Sequence, residues 1–209
     1  MSLLSLVVTF IKDLIDLMKS EVLQMRVFRN NQLKLEQSVV TIGAFDGIHR
    51  GHQALIKKAK SQAELYGIPL VVYTFDPPPK VYFQNQSILT SLPEKKYFLE
   101  ALGVSYSVFA SFDEEYALRG VQDFIDELSD VNPKEVWVGP GFNFGKGKSG
   151  TIEDLNNAFK AYQHPIVTCP KGEVISSTRI RQLFQHKEAE QAYYLLGRNQ
   201  FVLSGINGQ

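Results

Sequence analysis

The sequence predicts an α/β fold, a doubly wound parallel sheet of about five strands with an extra helix at its N-terminus. Three observations lead there. From residue 36 onward, short apolar and often β-branched runs alternate with stretches at helical spacing, the pattern of repeated βαβ units. Tyr66-Gly67 and Leu102-Gly103 put glycine just past the last turn of expected helices. The most distinctive segments follow strand ends, the side on which open parallel sheets bind ligands.

The elements follow in chain order. Residues 1–24 carry Leu3, Leu4, Val7, Val8, Ile11, Leu14, Ile15, Met18 and Val22 at helical spacing. Lys12, Asp13 and Asp16 interrupt this stripe, so no charge-poor run approaches the ~18–20 residues of a membrane span. No basic residue precedes the apolar stretch and no small-residue cleavage pattern follows, against a signal peptide. This amphipathic extension is expected to pack on its own domain or on a partner chain. Its polar face has as many acids as bases, which weakens a membrane-surface reading.

Residues 25–198 are expected to form one domain, with strands over 38–43, 69–75, 104–109, 134–139 and 165–169. Val39-Val40-Thr41-Ile42 and Glu135-Val136-Trp137-Val138 typify them. Helices are expected near 51–66, 93–102, 121–129, 151–161, 178–186 and 188–196. Residues 199–209 form a tail.

Composition narrows the function. The 209 residues include 22 basic and 22 acidic side chains, so no net field recruits nucleic acid. The lone Cys169 excludes an intrachain disulfide and a multi-cysteine zinc cluster. A cytoplasmic protein is expected.

Two motifs carry the chemistry. Gly43-Ala44-Phe45-Asp46-Gly47-Ile48-His49-Arg50-Gly51-His52 joins an expected strand to an expected helix. His49 and His52 share one helix face and can donate to phosphate oxygens, while Gly51 lets a ligand near the backbone. Capping of the helix alone would explain them equally well. A zinc site needs further ligands, and His164 and His186 have no motif context.

The second motif, Ile175-Ser176-Ser177-Thr178-Arg179-Ile180-Arg181, also opens a helix. One hydroxyl suffices for an N-cap; three, followed by two arginines, exceed what capping requires. Helix N-termini with such donors favour anions. Gly145-Lys146-Gly147-Lys148-Ser149 imitates the end of a P-loop, but Phe142 stands where that loop needs glycine. A basic loop closing over nucleotide, or a plain turn, fits better. Asp76-Pro77-Pro78-Pro79 ends a strand rigidly and could form one wall of a pocket. Phe75, Tyr82 and Phe83 are candidates to stack on a planar ring, with core packing as the alternative.

Together these residues resemble the FMN adenylyltransferase (FAD synthetase) module of the bacterial bifunctional riboflavin kinase/FAD synthetases. The resemblance runs from about Val27 to Gly205 and includes Thr74-Phe75-Asp76-Pro77, Leu89-Thr90-Ser91, Phe142 to Gly150 and Leu196-Gly197-Arg198. His-x-Gly-His alone would indicate only the wider nucleotidyltransferase superfamily. The resemblance implies a Rossmann-like fold that transfers AMP from ATP to FMN, giving FAD and pyrophosphate with Mg²⁺.

It also implies site roles. His49, His52 and Arg181 are the expected catalytic residues. Gly43, Phe45, Asp46, Gly51, His52, Ser176, Ser177, Thr178 and Arg179 would bind ATP, and Phe75, Pro77, Phe142 and Asn143 would bind flavin. No metal ligand is assigned, and Mg²⁺ is expected to arrive with ATP. The partners are the small molecules ATP and FMN, with FAD as product, and neither nucleic acid nor a membrane.

Three departures stand out. Leu203-Ser204-Gly205 resembles the passage into a kinase domain, yet the chain stops at Gln209, so riboflavin kinase activity is not expected. Pro78 stands where the family usually has His, and Gly141 where it usually has Asn or Asp. The last two fall on the flavin side and leave the ATP motifs whole. Adenylyl transfer to another phosphorylated acceptor, or low-turnover nucleotide or flavin binding, are therefore the alternatives.

Overall fold

A computed structural model describes residues 24–198; the expected N-terminal helix and the tail after Arg198 lie outside the described residues. The centre is a six-stranded, all-parallel sheet. Its strands are β1 (Arg26–Phe28), β2 (Ser38–Ile42), β3 (Leu70–Asp76), β4 (Tyr106–Ser111), β5 (Pro133–Val138) and β6 (Ala161–Gln163), in the spatial order β1-β4-β3-β2-β5-β6. β2 is buried along its whole length, as its Ser-Val-Val-Thr-Ile sequence anticipates for a central parallel strand.

The sheet is covered on both faces. On one, Val39, Leu70, Val72, Phe109 and Trp137 pack against α1 (Arg50–Tyr66) and α3 (Leu92–Ala101) through Leu55, Ile56, Ala59, Ala63 and Leu99. On the other, Val40, Ile42, Val71, Tyr73, Val136 and Val138 meet α5 (Val121–Ser129) and α6 (Ile152–Ala158) through Phe124, Ile125, Leu128 and Leu155. The period of two along each strand thus builds two cores at once. The chain winds from β2 to β3 on one side and later returns to β5 on the other. The ends of β2, β3 and β5 therefore form the switch point at which such sheets leave a crevice.

Local signals end the elements where expected. α1 stops at Gly67 (φ +65°), whose N–H reaches Ala63 and Glu64 carbonyls. α3 starts with a capping box between Ser91 and Glu94. Three shorter pieces complete the fold: α2 (Pro79–Gln84), α4 (Glu114–Ala117) and a 3₁₀ turn at Lys146–Lys148.

One expected strand is misplaced. The apolar run at 165–169 does not join the sheet; the last strand is Ala161–Gln163, and α6 ends at Ala158 rather than 161. Tyr162 stacks on Trp137 of the neighbouring strand, with ring centroids 5.0 Å apart. Val167 and Cys169 serve a third, smaller core with Ile180, Leu183, Ala192, Leu195 and Leu196 of α7 (Ser177–Gln185) and α8 (Ala189–Leu196). The run pairs instead within a small antiparallel hairpin, where Thr168 bridges Val174, the Cys169 N–H donates to the Glu173 carbonyl at 2.9 Å and the Ile175 N–H to the Val167 carbonyl at 3.0 Å; only Cys169 of the run is fully buried. β1 was also unforeseen, being three residues long and mostly exposed.

Candidate active site

At the switch point lies a cleft of about 830 Å³, walled by the turn after β2, the start of α2, the loop after β5 and the N-terminus of α7. The turn after β2 bends sharply. Phe45 (φ +45°), Gly47 (φ +89°) and Ile48 (φ +38°) all adopt positive φ. Phe45 and Ile48 are completely or almost completely buried, and that packing holds two non-glycine residues in a conformation L side chains rarely take. At Gly47 an added Cβ would also meet Leu89 and Leu196 at 3.2–3.3 Å.

The bend delivers His49 to the N-cap of α1. Its Nδ1 accepts the His52 N–H at 3.3 Å, and the two rings stack 3.6 Å apart at 16°. Gly51 leaves room beneath them, since a Cβ there would lie 3.2 Å from the His49 ring and push it by a few tenths of an ångström. Burial drives the His49 pKa down to about 4 and holds that of His52 well below the ordinary histidine value, with the neighbouring His49 adding to the effect. Both rings are therefore neutral donors at pH 7. The Nδ1 of His52 is buried without a partner.

The second motif closes on the first across 135 residues. Arg181 and Asp46 form a buried ion pair; the other Asp46 oxygen accepts the Leu89 N–H at 3.0 Å, and Arg181 Nε donates to the Ser87 carbonyl at 2.9 Å. Ser177 Oγ donates to the Asp46 carbonyl at 2.8 Å. Burial raises the Asp46 pKa, opposed by the Arg181 charge. Arg181 Nη1 is buried and unpartnered. Ser176 caps α7 by accepting the Arg179 N–H.

Most residues expected from sequence come together in this cleft. Gly43, Asp46, His49, Gly51 and His52 line it from the first motif, and Ser176, Ser177, Thr178 and Arg181 from the second. Phe75, Phe142 and Asn143 line its far end. Three expected residues stand elsewhere. Phe45 lies under the site, its ring edge-on to His52 at 5.3 Å. Pro77 is outside the lining, while Pro78 and Pro79 are in it. Arg179 turns away to pair with Glu173 and reach the Glu173 and Val174 carbonyls.

The far end is aromatic. Phe75, Phe83, Phe112 and Tyr116 line it, with edge-to-face contacts of Phe75 and Phe83 on Phe112 at 5.7–5.8 Å. Behind them, buried Glu127 accepts from the Tyr73 and Tyr116 hydroxyls and pairs with Arg119, which also donates to the Asp123 carbonyl. Asn143 folds back to donate to the Gly141 carbonyl at 2.9 Å, and Phe142 stacks on Phe144.

Sequence reading missed two supports, the buried Lys95 and the half-buried Arg198. Lys95 donates to the carbonyls of Ala44 (3.0 Å) and Phe75 (3.3 Å), tying the turn after β2 to the end of β3; burial lowers its pKa to about 8. Arg198 donates to the Gly47 carbonyl at 2.7 Å and lies over the Phe98 ring. Lys95 sits one turn before Leu99 on a buried helix face, and a lysine in such a register was the available signal. Among the described residues no group of three or more His, Cys, Asp or Glu side chains could hold a metal ion.

A parallel sheet whose switch point gathers two helix N-termini, paired neutral histidines and a buried arginine defines a nucleotide-handling α/β enzyme. The model of the FAD synthetase family matches residues 31–179, and the chain belongs to that family of FAD-forming transferases. A relative from Geobacillus thermodenitrificans, provisionally named a bifunctional riboflavin kinase/FMN adenylyltransferase, is 46% identical over 174 residues, 83% of this chain and 97% of its own length. The Escherichia coli bifunctional riboflavin kinase/FMN adenylyltransferase is 35% identical over 84% of this chain, which spans 58% of that protein. A Listeria monocytogenes FAD synthetase is 32% identical over 82% of this chain and 74% of its own. Among solved structures, a chain described as a macrolide-efflux protein from Streptococcus pneumoniae superposes with a TM-score of 0.75 at 31% identity, covering 83% of this chain and 62% of that one. No described helix here is long and apolar enough to cross a membrane.

Proposed function

We propose that this chain transfers AMP from ATP to FMN in the cleft, releasing pyrophosphate and forming FAD. The observation that carries this reading is the joining of the two motifs through Asp46, Arg181 and Ser177, which sets two helix N-termini around one space. An oxygen of the FMN phosphate attacks the α-phosphorus of ATP in line. The bond from that phosphorus to the bridging oxygen breaks, and its electron pair leaves with pyrophosphate. The phosphate is already a nucleophile, so the protein's task is positioning and charge stabilisation.

His49 and His52 donate to the ATP phosphates as neutral rings. Thr178, the N-terminus of α7 and the free Nη1 of Arg181 hold the pyrophosphate end. Mg²⁺ enters as part of the MgATP substrate, since this cation commonly binds through phosphates and water with few protein ligands. The aromatic end receives the flavin ring.

Gly141 and Pro78 favour a second reading, in which the same chemistry serves another phosphorylated acceptor. Beside Gly141 an added Cβ would meet no atom within 4 Å, so the acceptor end has unfilled space. Incubation with FMN, ATP and Mg²⁺, with FAD followed by chromatography, tests the proposal. FAD over many turnovers supports it and rules out a binding protein with little turnover. ATP binding without FAD, followed by pyrophosphate release with a different acceptor, replaces it with the second reading.

A further inference from the structure

Four cationic side chains line the cleft: Lys80, Arg119, Lys148 and Arg181. Carboxylates offset two of them, Asp46 for Arg181 and Glu127 for Arg119. Among the described residues neither lysine has an acidic partner. The unneutralised charge that a polyphosphate would meet therefore resides on Lys80 and Lys148. Only Lys80 touches a motif. Its Nζ donates to Thr178 Oγ1 at 3.4 Å, joining α2 behind β3 to the first turn of α7.

Electrostatically that contact is unfavourable by itself. The start of a helix carries the positive end of its dipole, so an ammonium there is disfavoured. A long bond to a neutral hydroxyl on exposed side chains does little to offset this. The buried Nη1 of Arg181 in the same wall also lacks an acceptor. An anion between Lys80 and α7 would give a partner to the Lys80 ammonium, to Arg181 Nη1 and to the free N–H groups that open α7.

We propose that Lys80 is a further phosphate-contacting residue, which binds the pyrophosphate end of ATP and the pyrophosphate product. The proposal rests on the adenylyl-transfer reading given above. Lys80 meets the oxygens that receive the electron pair as the bond from the α-phosphorus breaks, so its contact strengthens as the reaction proceeds.

The test measures binding of inorganic pyrophosphate and of adenosine to wild type, Lys80→Met and Lys80→Arg by titration calorimetry, with FAD formation alongside. A lost charge-assisted contact should weaken pyrophosphate binding by about tenfold or more in Lys80→Met. Adenosine binding should stay within about twofold, kcat for FAD should fall, and Lys80→Arg should recover most of both. The salt dependence of pyrophosphate binding should flatten in Lys80→Met. Pyrophosphate affinity unchanged in Lys80→Met, or equal losses for adenosine and pyrophosphate, would overturn the proposal. Wild type forming FAD beside an indifferent Lys80→Met defeats the lysine alone. Wild type that neither binds pyrophosphate nor forms FAD defeats the adenylyl-transfer reading as well.

Discussion

The two ends of the cleft are built on opposite principles. At the phosphate end, short polar segments are locked by backbone geometry and mutual hydrogen bonds, and Asp46 alone engages Arg181, Leu89 and, through its carbonyl, Ser177. At the acceptor end, aromatic rings from β3, α2, α4 and the loop after β5 form a surface, with their polar network behind it at Glu127. Phosphate oxygens need donors at fixed positions, whereas a planar ring needs only flat apolar area. The first requirement ties residues to strict spacing; the second leaves their order free.

The sharpest way to break this contrast compares the two paired arginines. Arg181→Met leaves Asp46 buried without its counter-charge, which for such pairs costs about 3–5 kcal/mol, and removes a phosphate donor. We expect FAD formation to vanish and the melting temperature to drop clearly. Arg119→Met leaves Glu127 its two tyrosine donors, and Arg119 is itself the more exposed of the two arginines. We expect a milder loss of stability, with the kinetic defect confined to KM for FMN. Equal effects in both assays would erase the distinction.

Next in size is His52→Ala, which should lower kcat by ~10²–10³-fold if the ring stabilises transition-state charge. A change below about threefold would remove that role from His52 and leave it a packing partner of His49.

The histidine pair also makes the phosphate end sensitive to acid. The His49 pKa falls from its ordinary 6.5 to about 4 on folding, so the unfolded chain binds more protons between those values. Stability is thus present above about pH 6.5 and lost as pH falls toward 4, by on the order of 3 kcal/mol from this group. Asp46, with a raised pKa, acts in the opposite direction, so the difference between variants is the cleaner measure. Asn at position 49 keeps an N-cap acceptor without titrating. Denaturation of wild type and His49→Asn between pH 4 and 7 should show a steeper acid loss in wild type. Parallel curves would mean that His49 is solvated in the folded chain.

These differences explain what could be read in the sequence. The alternation of runs located four of the six strands and both faces of the sheet, because parallel strands covered on both faces are predominantly apolar and β-branched. The 165–169 run misled because the third core around α7 and α8 draws on the same residue types. The phosphate motifs were legible because each is continuous in sequence. Arg179 was not separable from Arg181 by pattern: two residues apart on α7, they face different partners, Glu173 and Asp46. Lys80 and Glu127 act through contacts spanning 98 and 54 residues, and no local pattern announces them; Lys95 was signalled only by its register on a buried helix face.

The smallest expected effect tests the acceptor end directly. Gly141 sits at φ +68° with no atom within 4 Å of where a Cβ would project. Asn is among the residues best able to adopt that backbone conformation, so Gly141→Asn should fold with a stability change within about 1 kcal/mol of wild type. Its amide would enter the cleft beside Asn143, whose own amide is held by the Gly141 carbonyl and stays there. If this end selects FMN, KM for FMN should fall severalfold while pyrophosphate affinity is unchanged. A higher KM for FMN would mean that the open space accommodates a different acceptor. A shift in pyrophosphate binding would mean that the loop after β5 and the phosphate end move together, and that the two halves of the cleft are one unit.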